Sequence, residues 1–290
     1  MPVSFTDYLA AKFALDERSL NPEVRGAFLE ALRGLAEIRC LDAGAGTGAT
    51  LRRLLHHGLE RPLSVTALDR DPSLLAVAQA ENARRPPSSR PVEIRFVAQE
   101  LKDHRPAHPY NVIVAHAFLD IVPLGPALRR FAGWLEPGGY LHATLNYDGG
   151  TVFTERYEDA AFESRLLDYY NQTMESRLVD GEATGGAWCG RRLLSLLPEF
   201  GFVVLAHGAS DWDIAPSGGR YCDDDATCLA ALLEMICAEG RRSPLFHPRE
   251  LDRWHAERQS RVAQGTLAMR VHNTDILARY APRGASGTAR

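Results

Sequence analysis

Ile38-Arg39-Cys40-Leu41-Asp42-Ala43-Gly44-Ala45-Gly46-Thr47-Gly48 is the stretch on which the fold turns. A short apolar run enters a glycine-rich turn, and a helical pattern follows to about His57. Glycines let the backbone approach a ligand closely and take angles that other residues resist. The helix behind the turn presents unpaired N–H groups to whatever binds there. Gly44-x-Gly46-x-x-Ala49 also satisfies the dinucleotide-binding pattern. Taken alone, the turn is equally compatible with a tight bend that holds nothing, so its neighbours decide.

Downstream the alternation is regular. Leu63–Asp69 reads as a strand, Ser73–Arg84 as a helix, 85–91 as a surface loop and Val92–Val97 as a strand. Tyr110–His116 is a strand rich in β-branched residues, Leu124–Leu135 a helix, and Glu136-Pro137-Gly138-Gly139 a turn into the strand Tyr140–Asn146. Strands alternating with helices imply parallel pairing through right-handed crossovers, hence a doubly wound α/β sheet. Upstream, residues 5–36 carry apolar residues at helical spacing, with Asn21 as N-cap and Pro22 in the first turn of a second helix. The second half changes rhythm. Residues 149–183 read as helical, Arg191–Pro198 as a helix, Phe202–Ala206 as a strand and 223–262 as two helices. Gly265–Val271 reads as the last strand and 281–290 as a flexible tail. The acidic run 223–225 lacks the spaced ligands and glycine of a calcium loop and reads as a helix start.

Composition narrows the possibilities. The chain has 290 residues, 45% hydrophobic and 24% charged, in the range of a globular protein that needs no disulfide or metal staple. Net charge is −4, which argues against a nucleic-acid binder. Two lysines stand against 31 arginines, a bias that coding composition explains as well as anion recognition does. No apolar run is long enough to span a membrane. The N-terminal residues lack a basic region and an apolar segment, so no signal peptide is expected. Five cysteines without a C-x-x-C fit reduced thiols in a cytoplasm and no metal site.

The motif set resembles that of the class I S-adenosylmethionine (SAM)-dependent methyltransferases. Asp42-Ala43-Gly44-Ala45-Gly46-Thr47-Gly48 is similar to their first motif, and Val65-Thr66-Ala67-Leu68-Asp69 to the second, a strand ending in an acid that binds both ribose hydroxyls. Phe96-Val97-Ala98-Gln99-Glu100-Leu101 resembles the third, Tyr110–His116 the fourth strand, and Leu135-Glu136-Pro137-Gly138-Gly139-Tyr140-Leu141 the turn before the fifth. The resemblance covers 38–146 and implies a seven-stranded, mostly parallel sheet with an antiparallel last strand. On that reading residues 1–290 form one domain: an N-terminal helical lid (1–36), a SAM-binding core (37–148) and helical cap insertions (149–183 and 213–262).

It also implies roles. Asp42, Gly44 and Gly46 fall on the methionine and ribose side of SAM, Asp69 on the ribose diol, and Glu100, with Leu101 beside it, on the adenine, with Gln99 or Asp103 in that place if the strand ends a little earlier or later. Arg70 flanks the adenosine, with an exposed residue after a strand as the plain alternative. Arg18 is set to pair with the SAM carboxylate or else to lie in solvent. His116, with Asp120 four residues on, is a base, a cofactor contact or a pocket wall. Tyr147 and Tyr170 are candidate catalytic residues on the acceptor side, against simple packing roles.

The function implied is methyl transfer from SAM to a small-molecule acceptor, releasing S-adenosylhomocysteine. Other readings stay open at this level: a SAM-using enzyme of another reaction type (aminopropyl transfer or cyclisation), a nucleic-acid methyltransferase, a nicotinamide-dependent oxidoreductase, or a binding protein that kept the fold. Acceptor identity and oligomeric state are not readable here.

Overall fold

The computed structural model describes residues 4–56, 61–85 and 90–282. Two helices lead in. Ser4 caps α1 (Phe5–Ser19), and the Asn21 side chain accepts the N–H groups of Glu23 and Val24 to start α2 (Pro22–Arg33), as the Asn-Pro pair predicts. Then come β1 (Ile38–Ala43), α3 (Ala49–His56), β2 (Leu63–Asp69), α4 (Pro72–Ala83), β3 (Val92–Ala98) and β4 (Tyr110–His116). A 3-10 turn at Leu119–Ile121 leads to α5 (Leu124–Trp134) and the long β5 (Leu135–Phe153). The rest of the chain adds α6 (Ala160–Glu175), the hairpin β6 (Leu178–Val179) and β7 (Glu182–Ala183), and α7 (Cys189–Leu196). It closes with β8 (Phe202–Ala209), β9 (Trp212–Ile214), α8 (Asp225–Arg241), α9 (Pro248–Ala263) and β10 (Met269–Tyr280).

The sheet runs β3-β2-β1-β4-β5-β10-β8. Strands β1 to β5 pair in parallel, and β10 lies antiparallel between β5 and β8. The short β9 pairs with the start of β10, an eighth strand that the sequence reading lacks. Alternation along the strands splits the core. One face packs Val24, Phe28, Leu51 and Leu54 of α2 and α3 on Cys40, Val65 and Val114. The other packs Leu128, Phe131 and Leu193 of α5 and α7 on Leu41, Ile113 and Leu141. A third cluster joins α1, α6, α8 and α9 around the far ends of β5 and β10, with Leu15, Phe162, Leu233 and Trp254 at its centre. Within it Arg258, fully buried, donates through Nε and Nη2 to Glu163 at 2.8 Å, tying α9 to α6. A buried, bidentate pair of this kind fixes geometry more than it adds stability.

Three sequence expectations are corrected. The last strand is Met269–Tyr280, not 265–271, so His272 and Asn273 lie inside it. Its middle, Asn273-Thr274-Asp275, is buried yet polar, which hides the strand from an apolar pattern. Asp275 has a clear reason for its burial: Oδ1 accepts the Leu145 N–H at 2.7 Å and Oδ2 the Asn21 N–H at 2.9 Å. The carboxyl thereby pins the start of α2 to a kink in β5, where Leu145 takes φ +52° and the register with β10 shifts. Burial pushes the Asp275 carboxyl up. The second correction is at 149–183: β5 continues to Phe153, α6 begins only at Ala160, and a hairpin closes the segment. Third, the strand expected at Phe202–Ala206 runs on to Ala209, and the separate β9 follows it. The expected tail lies outside the described residues beyond 282.

Candidate active site

The glycine turn is stapled to the end of β2. Gly44 and Ala45 both donate to the Leu68 carbonyl at 2.9 Å, and the Gly46 N–H donates to Asp69 Oδ2 at 2.8 Å. Asp69 Oδ1 accepts the Asp71 N–H at 2.9 Å. The two backbone bonds fix the carboxylate, and each oxygen keeps a further lone pair for a ligand hydroxyl. The glycines differ in what they serve. At Gly44 (φ +74°) an added Cβ would lie 2.3 Å from the Phe118 ring, so that glycine is required by packing. At Gly46 (φ +50°) a Cβ would meet nothing within 4 Å, so the turn opens onto free space there. Gly46→Ala should therefore lower stability by only about 1 kcal/mol, the penalty of a left-handed alanine. The same methyl should reduce affinity for S-adenosylhomocysteine at least about tenfold, since it occupies the cradle. Thermal melting and calorimetry on the one variant check both halves.

Asp42 sits behind the turn, 1% exposed, and neither carboxylate oxygen completes a hydrogen bond. Burial pushes its pKa up to about 7, with Thr50 and Arg53 opposing and the Asp69 charge adding to the rise. A buried acid whose neighbouring Thr50 hydroxyl makes no well-formed hydrogen bond to it is a destabilising arrangement that a bound donor would relieve. The donors of an aminoacyl and ribosyl ligand fit that need, as the open cradle at Gly46 fits its backbone approach. Residues 42–48 and 69 thus suit a SAM-type cofactor on their own geometry.

His116 ends β4 in a chain of buried polar groups. Its Nδ1 lies 2.7 Å from Thr144 Oγ1, and its Nε2 lies 3.0 Å from Asp16 Oδ2 and 3.1 Å from Arg53 Nη2. Lys12 Nζ reaches the same Asp16 oxygen at 2.6 Å. Burial and Arg53 drive the imidazole down to about 3, against the pull of Asp16, so it is neutral at pH 7. We assign its proton to Nε2, donating to the Asp16 carboxylate, with Nδ1 accepting from the Thr144 hydroxyl; Arg53 Nη2 then stands near Nε2 without a hydrogen bond to it. For Asp16, burial opposes ionisation, but Lys12 and the His116 bond outweigh it and hold the carboxyl below its usual range. Neither imidazole nitrogen is left to take a proton from an acceptor in this arrangement.

The remaining expected residues fall in three places. Arg18 is held by Asp225 at the start of α8, with Asp223 at 3.8 Å. Arg70 and Glu100 face each other at 4.0 Å on the exposed rim beyond β2 and β3, and Leu101 packs partly buried behind them. Tyr147 and Tyr170 share a packed cluster with Tyr8, Ala117 and Met174 under α1 and α6. The Tyr147 hydroxyl donates to Asn171 Oδ1 at 2.7 Å. Burial pushes Tyr170 up to about 12, helped by Tyr147, and raises Tyr8 well above its ordinary value. These phenols remain protonated at neutral pH.

The structure adds Tyr8, Lys12, Asp16, Arg53 and Thr144, none of which the sequence singles out. Asp16 and His116 stand one hundred positions apart, so their pairing has no local signature.

Residues 41–141 match the family model described as a methyltransferase domain. The chain is 30% identical over 137 residues to trans-aconitate 2-methyltransferase of Streptomyces avermitilis, a match covering 45% of this chain and 48% of that protein. The chain thus spans about half the length of the curated relative it matches. Among solved structures, a Bacillus halodurans protein provisionally described as a methyltransferase superposes with a TM-score of 0.53 at 14% identity, over 90% of this chain and 100% of that one. The YcgJ protein of Bacillus subtilis does so at 0.50 and 12%, also over 90% and 100%. At these identities the structures bear on fold alone.

Proposed function

We propose that this chain is a class I methyltransferase that transfers a methyl group from SAM to a small-molecule acceptor, a reading supported by the match of residues 41–141 to a methyltransferase domain. The observation that carries this reading is the pairing of Asp42, buried with two unsatisfied oxygens, with the open cradle at Gly46 beside a preorganised Asp69. Asp69 would hold the ribose diol with its spare lone pairs, Asp42 would accept from donors on the ribose and methionine side, and Glu100 would face the adenine with Arg70 and Leu101 at its rim. When bound, SAM would supply an activated methyl that passes to an acceptor held in line with the S–CH3 bond, with S-adenosylhomocysteine as the leaving group.

The chain's own work is alignment and exclusion of water. Helices α1, α6 and α8, which we take as lid and cap, cover the strand ends with an apolar cluster. His116, with both nitrogens engaged, serves as a wall and anchor for α1. Tyr8 and Tyr170 keep their protons and can orient an acceptor by donating to it. The name of the Streptomyces relative, which says that it methylates trans-aconitate, supports a small acceptor, as does the chain's net charge of −4. Among the described residues no helix is long and apolar enough to cross a membrane. Four of the five unpaired cysteines are buried, which supports a cytoplasmic setting.

Mass spectrometry of products from methyl-labelled SAM and a panel of small acids, amines and phenols tests the reaction type. The expected result is a product heavier by one CH2 with S-adenosylhomocysteine released. An aminocarboxypropyl adduct, or a cyclised amino-acid fragment of SAM, with 5′-methylthioadenosine released in place of S-adenosylhomocysteine, would overturn methyl transfer.

A further inference from the structure

The turn after β4 bridges the glycine cradle and the helical cluster under α1 and α6. Its Phe118 ring lies over Gly44, and Ala117 joins the cluster of Tyr8, Tyr170 and Met174. Asp120 follows two residues beyond Phe118, in the 3-10 turn. That turn is pinned from outside: the Asp120 carbonyl accepts the Gly186 N–H at 2.9 Å, and the Val122 carbonyl accepts the Gly185 N–H at 3.0 Å. Asp120 Oδ1, by contrast, is buried with no hydrogen-bond partner among the described residues. Burial pushes its carboxyl up, and Arg177 and Lys12 oppose the rise through their charges alone. Lys12 Nζ is already engaged by Asp16 at 2.6 Å. Burial raises the Tyr8 and Tyr170 phenols too, and the Asp120 charge adds to both, so the carboxylate lies within electrostatic reach of the two rings. A carboxylate buried with an oxygen unpaired is destabilising until a donor cation joins it.

We propose that this turn selects an amine as the methyl acceptor, the Asp120 carboxylate holding its ammonium form against the rings of Tyr8 and Tyr170. Aromatic faces attract a cation, and a carboxylate pairs with it through a charge-assisted hydrogen bond. An acid or phenolate acceptor would instead bring a second negative charge to Asp120, which costs both groups. Before it can attack, the nitrogen must lose a proton. The Asp120 carboxylate takes it, an O–H bond forming as the N–H bond breaks. The freed lone pair bonds the methyl carbon, and the electrons of the broken C–S bond stay on sulfur. The assignment rests on the methyl-transfer reading and adds to it the class of the acceptor.

Thermal melting and calorimetry on the full chain, saturated with S-adenosylhomocysteine, test the assignment through binding. The probes are benzylamine, phenethylamine and butylamine, each set against a carboxylate of similar skeleton: benzoate, phenylacetate and butyrate. At millimolar concentration at least one of the amines should raise the melting temperature of the complex, and none of the carboxylates should. Asp120→Asn should bind that amine about tenfold or more weakly, as loss of a buried charged contact does. The same variant should bind S-adenosylhomocysteine within about twofold of the unchanged protein, which shows that it folds. The comparison of amines with carboxylates needs only the unchanged protein, so it decides the matter if the variant does not fold. Stabilisation by carboxylates in place of amines, binding of no amine, or amine binding undiminished in a folded Asp120→Asn variant overturns the proposal. Failure of the unchanged protein to bind S-adenosylhomocysteine sinks the cofactor reading instead, and titration of the free protein with the same probes then decides the Asp120 site alone.

Discussion

Asp42→Asn should make the ligand-free protein more stable at pH 8 while removing most of its affinity for S-adenosylhomocysteine. The native pKa of Asp42 is raised from 3.8 to about 7, so the folded state prefers the protonated acid. Below pH 4 both folded and unfolded chains carry the proton, and the group has no effect on stability. As pH rises from about 4 to 7 the unfolded chain releases the proton first, so stability falls, and the penalty is complete above pH 7. A rise of that size corresponds to about 4 kcal/mol at most. Asparagine does not ionise and escapes that penalty. Its melting temperature should exceed that of the unchanged protein by several degrees at pH 8 and converge with it near pH 4. A gap that stays constant with pH would remove the electrostatic explanation. Binding should move the opposite way, because the amide offers one acceptor where the carboxylate offers two. A residue whose removal stabilises the fold and weakens a ligand is held there for the ligand.

Asp69→Asn should be the larger loss for binding, about a hundredfold for S-adenosylhomocysteine. The carboxylate accepts the Gly46 and Asp71 N–H groups on separate oxygens. An amide keeps one of these bonds and turns a donor toward the other, at about 1–3 kcal/mol for each charged bond lost. The glycine turn is thereby released from β2, and the diol loses its acceptors at the same time. Calorimetry should show the affinity loss for 5′-methylthioadenosine as well, since both ligands carry the ribose. Unchanged affinity would place the ribose elsewhere.

The parts of the fold legible in the sequence are those whose signals are local. The apolar run 38–41, the acid at 69 and the Asn21-Pro22 pair each act within a few residues, and each stands where its chemistry predicts. The last strand escaped because its middle, Asn273-Thr274-Asp275, is polar yet buried, and Asp275 is buried for a long-range reason, the Leu145 and Asn21 N–H groups that it accepts. The same holds for the site. Asp42, Gly44, Gly46 and Asp69 lie on one continuous motif with its partner strand. Lys12 and Asp16 look like two charges four residues apart on a solvated helix face, and only the packing of α1 over His116 buries them. Arg18 shows the converse. Its polar neighbourhood suggests a ligand contact, yet the packing of α8 gives it Asp225 as partner.

Titration of the full chain with S-adenosylhomocysteine and with NADH, by calorimetry at neutral pH, tests the cofactor assignment most directly. Saturable one-to-one binding of S-adenosylhomocysteine, with no heat from NADH and loss of the signal in Asp69→Asn, is the predicted result. Binding of NADH, or S-adenosylhomocysteine binding that survives in Asp69→Asn at full strength, would contradict it.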